Sequence, residues 1–157
     1  MDAGRESGIE ALRASVTVAR PPAEAFEVFT AGIARWWPLR SHSIGEARAA
    51  FCAIEPRVGG EVYEVRDDGQ RFSWGRVLVW EPPHRLVMSW HPGRPLAVAQ
   101  EVEVRFTPEG GGTRVDLEHR GWEKLGEEAA DARASYEGGW RTVLGTHFAG
   151  AFDRRGA

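Results

Sequence analysis

The chain of 157 residues is poor in cysteine and in lysine. Cys52 is its only cysteine, which excludes an internal disulfide and a zinc site built from several thiolates. Lys124 is its only lysine and the formal net charge is −3, so neither a lysine-rich tail nor a long-range positive field favours nucleic acid. These absences fit a reducing compartment and a protein without a nucleic acid partner.

Long hydrophobic runs are also missing. Uncharged apolar segments such as residues 77–80 are far too short to cross a bilayer. Residues 1–6 carry mixed charges and no apolar segment follows them, which is not the pattern of a signal peptide. We therefore expect a cytoplasmic protein that has no membrane partner.

The familiar motifs of hydrolases, metalloproteases and nucleotide-binding proteins do not occur. There is no His-Glu-x-x-His and no Gly-x-Ser-x-Gly, and no Lys-Ser/Thr follows the glycines at 110–112. The five histidines are scattered without the spacing of metal ligands. We expect no metal and no cofactor.

The sequence does contain a series of short segments that alternate between apolar and polar residues and are separated by Gly and Pro turns. We predict strands over residues 14–19, 50–55, 61–66, 70–80, 85–91, 102–106 and 115–119. Pro21-Pro22 opens an apolar stripe of helical spacing that Gly32 divides and Pro38 ends, which predicts two short helices after the first strand. A long amphipathic helix is predicted over residues 129–153.

This order is typical of an α+β fold in which a seven-stranded curved antiparallel sheet surrounds a long C-terminal helix. Residues 1–12 mix Gly, Ser and charge without periodicity, so we predict a flexible N-terminal extension. Residues 13–157 are then a single domain, and a chain of this length can bury a substantial core.

Alternation in the last two strands predicts which side chains face the core. His119 has the same parity as Val115 and Leu117 and should therefore point inward. In the final helix, the predicted inward stripe consists of Tyr136, Trp140, Val143, Leu144, His147, Phe148, Ala151 and Phe152.

The third and fourth strands give two conflicting predictions. A two-residue turn at Asp68-Gly69 would place Tyr63 opposite Trp74, and both would face the core. From Val77 onward, the apolar positions have the opposite parity. A β-bulge near Gly75 would reconcile the two, because one extra residue reverses the face.

Several local motifs, in this order, resemble the START/polyketide-cyclase (SRPBCC) superfamily. Within it, the chain is similar to the family named after the activator of the heat-shock protein 90 ATPase. The resemblance covers roughly residues 14–153 and is carried by segments 20–29, 36–38, 59–60, 75–87, Trp90, 112–119 and 139–140. It implies a helix-grip fold with a cavity between the sheet and the long helix, and it does not imply one activity.

We predict that this cavity binds an apolar or aromatic small molecule. A curved sheet and a straight helix cannot pack flush along their whole length, and the glycines at 138, 139, 145 and 150 leave further volume. The predicted lining consists of Trp37, Met88, Trp90, Val102, Leu117, His119, Tyr136, Trp140 and His147.

Each of these positions also has a structural interpretation. His119 and His147 can orient a polar group of a ligand, or each can satisfy a local backbone partner. Trp140 and Tyr136 can line the cavity or pack in the core. Trp36, beside Trp37, can be partly exposed at the mouth of the cavity or can pack against the first strand.

Two alternatives to simple binding stay open. One is an enzyme of the cyclase or hydratase type that uses His119 and His147 as acid–base groups. The other is a co-chaperone-like module that binds a protein through its surface, for which a large apolar patch would be the signature. The sequence also leaves open whether the chain forms a homodimer.

Overall fold

Seven antiparallel strands form one curved sheet in the computed structural model, which describes residues 9–155 and the side chains of residues 9–152. The spatial order of the strands is β1-β7-β6-β5-β4-β3-β2. Their bounds are β1 Leu12–Val18, β2 Ala49–Ile54, β3 Glu61–Arg66, β4 Arg71–Glu81, β5 Arg85–Trp90, β6 Gln100–Glu109 and β7 Gly112–Arg120. The predicted α+β helix-grip fold is confirmed.

The helices cover one face of this sheet. Pro21 is extended and Pro22 begins the first helix, as expected of a residue that has no backbone N–H to satisfy. The helices are α1 Pro22–Phe29, α2 Ile33–Trp36, α3 Ala129–Thr142 and α4 Ala149–Arg155, with a π-helical segment Val143–Phe148 between the last two. None of the helices in the described part of the chain is both long enough and apolar enough to cross a membrane.

The inward face of the sheet carries the core, and the outward face carries charge. Glu103 lies on the outward face as predicted, yet it is only 4% exposed because Arg85, Arg105 and Arg120 cover it. Burial acts to raise the pKa of Glu103, but hydrogen bonds from these three guanidinium groups lower it to about 2. The carboxylate therefore organises the charged face and takes no part in a cavity.

Between the turn and the bulge, the predicted pairing of β3 with β4 is wrong by one residue, whereas Glu61 lies opposite Arg76 as that pairing requires. The turn contains three residues, Asp67–Gly69, and closes with a hydrogen bond from the Arg66 N–H to the Gln70 carbonyl at 2.8 Å. Gly69 has a φ of +89°, which suits glycine. Tyr63 consequently lies opposite Ser73 and faces outward.

The predicted bulge near Gly75 is confirmed, because the register shifts between Val62 and Tyr63. A Cβ atom at Gly75 would lie 1.8 Å from the Ser89 carbonyl oxygen, so only glycine allows β4 and β5 to approach here. The bulge turns Trp74 into the core, where it is 1% exposed. It also bends the sheet around the helix.

Helical structure at the C-terminal end begins earlier in the chain than the apolar stripe predicts. A 3₁₀ segment, Trp122–Glu128, precedes it and buries Trp122 completely. Of the four glycines expected to leave volume, only Gly139 has a neighbour within 4 Å, the ring of His42 at 3.8 Å. Gly138 and Gly145 are exposed and Gly150 is half-buried, and a Cβ atom at any of them would meet nothing within 4 Å, so these three leave no volume against the sheet.

Most of the predicted N-terminal extension, residues 1–8, lies outside the described residues. Leu12, which we assigned to the extension, already begins β1 and is 2% exposed. It pairs with His119 across the sheet and belongs to the core.

Candidate functional site

Four indole rings meet where the first half of the final helix crosses the sheet. We call them the tryptophan cluster: Trp37 after α2, Trp74 on β4, Trp90 on β5 and Trp140 on α3. Five of their pairs have ring centroids between 5.1 and 6.1 Å apart. Each ring is less than a tenth exposed, so the cluster is a buried aromatic wall.

A cavity of about 410 Å³ opens against this wall. Its size is within the range of about 300–1,000 Å³ typical of small-molecule sites. Helix α3, the loop after α2 and the turn after β5 enclose it. The lining consists of Trp37, Ser41, His42, Ser43, Ile44, Trp74, Trp90, Pro92, Gly93, Tyr136, Gly139, Trp140 and Val143.

Two other concavities, of about 670 and 490 Å³, lie along the outer side of α1. Both include Ala23, Glu27 and Ala31 in their walls, and neither lies between the final helix and the sheet. The tryptophan-lined cavity is smaller, but it alone among the three has walls from both the final helix and the sheet, and all four rings of the tryptophan cluster line it. We therefore regard it as the candidate site.

A chain of hydrogen bonds holds Trp140 in place. Its indole N–H donates to Nδ1 of His119 at 3.0 Å, and Nε2 of His119 lies 3.2 Å from Oε1 of Gln100. Because Nδ1 accepts, Nε2 must carry the proton and donate to Gln100. Gln100 in turn donates to the Val98 carbonyl at 2.6 Å.

His119 is thus a neutral supporting residue. Its side chain is completely buried and stacks on Trp122 at 4.0 Å. Burial lowers its pKa to about 3, so it carries no charge at neutral pH. With both ring nitrogens bonded inside the protein, it is not available as the acid–base group that we considered.

Glu64 fixes the loop that forms one side of the cavity. Its carboxylate accepts from the Trp74 indole N–H at 2.6 Å and from the backbone N–H groups of Ile44 and Gly45 at 2.7 and 2.8 Å. The Glu64 side chain is fully buried. Charge-assisted hydrogen bonds of this kind position a loop firmly, so Glu64 joins residues 41–45 to the sheet.

The same loop presents an imidazole to the cavity. Trp37 donates its indole N–H to the His42 carbonyl at 2.7 Å, and Nδ1 of His42 lies 2.7 Å from the Ser41 hydroxyl. Burial, and then the nearby His147, lower the pKa of His42. His42 is therefore the histidine that lines the cavity and can accept a proton at neutral pH.

Residues 19–153 match the family model described as Activator of Hsp90 ATPase homolog 1-like protein. The chain belongs to this family. A comparison with curated protein sequences found no match.

Three solved structures show what members of this fold look like. The anthrahydroquino-γ-pyrone synthase Txn09, complexed with SUM, is 42% identical over 80% of this chain and 85% of its own, with a TM-score of 0.57. CalU16 from Micromonospora echinospora is 26% identical over 90% of this chain and 74% of its own, with a TM-score of 0.60. The Aha1 dimer from Colwellia psychrerythraea is 16% identical over 87% of this chain and 91% of its own, with a TM-score of 0.61, and shows the fold alone.

The structure brings together part of the predicted lining of this family member. Trp37, Trp90, Tyr136 and Trp140 lie in the cavity wall. Four others are at most 1% exposed and pack in the core without lining the cavity: Met88, Val102, Leu117 and His119. The remaining one, His147, is half-buried and lies outside the lining.

Sequence reasoning missed the loop that closes the cavity. Residues 41–44 have no periodic pattern, and no sequence signal connects them with Glu64, some twenty residues later. The suggestion that Trp36 is partly exposed at the mouth was also wrong. Trp36 is 3% exposed, and its indole N–H donates to the Val28 carbonyl at 2.8 Å.

Proposed function

We propose that this family member binds a polycyclic aromatic small molecule in the tryptophan-lined cavity. The observation that supports this most directly is the wall itself, a set of flat rings beside about 410 Å³ of space. Aromatic rings stack favourably on indoles in offset or edge-to-face arrangements, so fused rings gain more from this wall than aliphatic chains do.

The relationship to Txn09 supports the same class of ligand. At 42% identity over 80% of this chain, the anthrahydroquino-γ-pyrone synthase is a relative whose name describes a fused, oxygenated aromatic product. Our proposal takes the chemical class from that relative and the position of the ligand from this chain.

Calorimetry with anthraquinone-2-sulfonate, a soluble three-ring probe, tests the proposal. We expect a dissociation constant below about 1 mM, which corresponds to more than about 4 kcal/mol of binding free energy. Gly139→Phe should abolish binding, because a Cβ atom at this position already lies 3.8 Å from the His42 ring. Gly138→Phe is the matched control, because its Cβ meets nothing within 4 Å and binding should persist. Saturable binding that is equal in both variants would place the probe elsewhere and contradict the proposal.

A second candidate function is ring closure on such a molecule, and His42 is the observation that favours it. Forming a γ-pyrone ring joins a hydroxyl oxygen to a carbon of a side chain, and the hydroxyl must give up its proton. His42 faces the cavity and burial lowers its pKa, so its neutral imidazole can accept that proton. The base is then His42, instead of the predicted pair His119 and His147.

This second function has its own test. A polycyclic phenol with a 1,3-diketone side chain, supplied as substrate, should close to a γ-pyrone with loss of water in the presence of the wild-type protein. His42→Phe should lower that rate at least tenfold, while anthraquinone-2-sulfonate should still bind. If the rate does not depend on His42, or no closure occurs above the rate in buffer, the chain is a binding protein without this activity.

The co-chaperone-like module and the homodimer stay predictions. Within the described residues, the exposed large apolar side chains lie on four different parts of the fold: Phe51, Val58, Leu78 and Leu96. Because they lie on different parts of the fold, they do not suggest one large apolar patch for a partner protein. The cavity is therefore the better-supported binding site.

A further inference from the structure

Trp90 differs from the other rings of the tryptophan cluster in its hydrogen bonding. The indole N–H groups of the other three donate to His42, Glu64 and His119. Among the described residues, the Trp90 indole N–H has no hydrogen-bond partner of normal geometry, although the side chain is only 3% exposed and lies in the cavity wall. Nearly all buried donors in native proteins are paired, so this one requires an explanation.

Tyr136 adds a second polar group to the same wall. Burial raises the pKa of its hydroxyl, and the nearby Trp90 N–H acts in the opposite direction, followed by Arg94. The two groups are therefore close to each other, although no hydrogen bond of normal geometry joins them. Two donors that converge within an otherwise aromatic wall are the means by which small-molecule sites fix the orientation of a ligand.

We propose that the Trp90 indole N–H, with the Tyr136 hydroxyl beside it, binds an acceptor oxygen on the edge of the ligand. This inference rests on the proposed function and deepens it, because it selects oxygenated polycyclic aromatics over hydrocarbons of the same shape. A carbonyl oxygen has two lone pairs, so one quinone carbonyl can accept from both donors. Trp90 is then a specificity-determining residue.

Two probes that differ only in the acceptor test this inference. Anthraquinone-2-sulfonate and anthracene-2-sulfonate share three fused rings and a sulfonate, and only the first has carbonyl oxygens. By calorimetry, the wild-type protein should bind the quinone about tenfold more tightly, which is the effect of about one hydrogen bond to a buried donor. Trp90→Phe retains an aromatic ring without the N–H and should reduce this ratio to about threefold or less, because only the Tyr136 hydroxyl remains as a donor.

Trp37→Phe is the matched control. It makes the same truncation in another ring of the wall, whose N–H donates to the His42 carbonyl instead of facing the ligand. We expect it to weaken both probes by a similar factor and to leave the ratio unchanged. Tyr136→Phe should reduce the ratio in part, to about threefold, because one of two donors remains.

A measurement on the wild-type protein guards against a Trp90→Phe variant that does not fold. In proton–nitrogen NMR spectra, the Trp90 indole resonance should move downfield when anthraquinone-2-sulfonate binds. It should not do so when anthracene-2-sulfonate binds. Equal affinity of the two probes, or a ratio that survives Trp90→Phe, overturns this inference and leaves the proposed function intact. If neither probe binds, both the inference and the proposed function fail.

Discussion

The final helix packs on two aromatic clusters that differ in their chemistry. Its first half contacts the tryptophan cluster. Its second half contacts what we call the phenylalanine cluster, whose ring centroids lie 5.0–5.9 Å apart in mostly edge-to-face pairs: Phe26, Phe29, Trp36, Phe106, Phe148 and Phe152. All ten rings of the two clusters are less than a tenth exposed.

The difference between the clusters lies in what each ring requires of its surroundings. A phenylalanine ring has no polar atom, so it can fill space without any hydrogen-bond partner. Every indole brings an N–H that must be paired when buried. The tryptophan cluster therefore depends on His119, Glu64 and the His42 carbonyl, and the Trp90 N–H has no such acceptor among the described residues. We therefore expect substitutions in the tryptophan cluster to affect ligand binding, and substitutions in the phenylalanine cluster to affect mainly the stability of the fold.

The largest effect should follow from a cavity in the phenylalanine cluster. Phe148 is fully buried and contacts Phe29, Trp36 and Phe152. We expect Phe148→Ala to lower the free energy of unfolding by about 3–5 kcal/mol in urea melts. Phe148→Leu, which removes less volume, is the control and should cost clearly less.

Binding measured on the same variant tests whether the two clusters act separately. Under conditions where Phe148→Ala is still folded, its affinity for anthraquinone-2-sulfonate should match that of the wild type. A large loss of affinity in the folded variant would show that the two clusters are one functional unit.

The second effect is a dependence of stability on pH that arises beside the tryptophan cluster. The pKa of His119 is about 3 in the folded protein, below its ordinary value of 6.5. Below pH 6.5 the unfolded chain therefore binds a proton that the folded chain does not, and stability falls as the pH falls toward 3. Between pH 6.5 and 5 we expect a loss of about 1.5 kcal/mol.

Urea melts at several pH values check this, with His119→Asn as the control. The amide oxygen of asparagine can still accept from Trp140, so the variant removes the titrating group and keeps an acceptor. Above pH 5, the low pKa of Glu103 makes no difference, because its window begins at about 4.5. An unchanged slope in His119→Asn would assign the pH dependence to other groups, His42 included.

Glu64→Gln should have an effect of similar size, centred on the cavity loop. The amide has one acceptor oxygen and brings an NH₂ toward the N–H groups of Ile44 and Gly45. We expect a loss of about 1–3 kcal/mol and faster hydrogen exchange at these two amides. Hydrogen exchange at the backbone amides around the phenylalanine cluster should become faster only as far as the lower global stability requires. If all amides accelerate equally, the loop is not an independent unit.

The sequence predicted the fold more completely than the site. Period-two alternation placed His119 inward, and helical spacing placed Trp140 and Phe148 on the buried face. These patterns hold because the burial of apolar side chains repeats with the geometry of each element. They failed at the Asp67–Gly69 turn, where one additional residue moved Tyr63 to the outer face.

The cavity could not be predicted as a whole, since it depends on contacts between distant and irregular segments. The loop at residues 41–44 reaches its position through Glu64, and neither the loop nor a buried carboxylate has a periodic signal. The partnerless Trp90 is a property of packing in three dimensions. A pattern read along one strand identifies the ring as inward and says nothing about the acceptor of its N–H.

The smallest expected effect on stability comes from substitutions at two adjacent residues, Trp36 and Trp37, which belong to different clusters. Trp36 belongs to the phenylalanine cluster and donates to the Val28 carbonyl, whereas Trp37 belongs to the tryptophan cluster and donates to the His42 carbonyl. Each Trp→Phe substitution removes one hydrogen bond and part of one ring, so each should cost about 1 kcal/mol in urea melts. Stability alone should therefore not distinguish the two variants.

Exchange and binding should distinguish them, because only one of the two bonds closes the cavity. Trp37→Phe releases the His42 carbonyl, so the amides of residues 41–45 should exchange faster and both sulfonate probes should bind more weakly. Trp36→Phe stays within rings that hold α1 and the end of the helix together, and neither quantity should change beyond its effect on global stability. The centroids of the two indole rings are only 5.8 Å apart. This pair of variants therefore tests whether neighbouring rings of the two clusters differ in their effect on the cavity loop. Equally faster exchange of the amides of residues 41–45 in both variants would mean that the two clusters do not act separately at these residues.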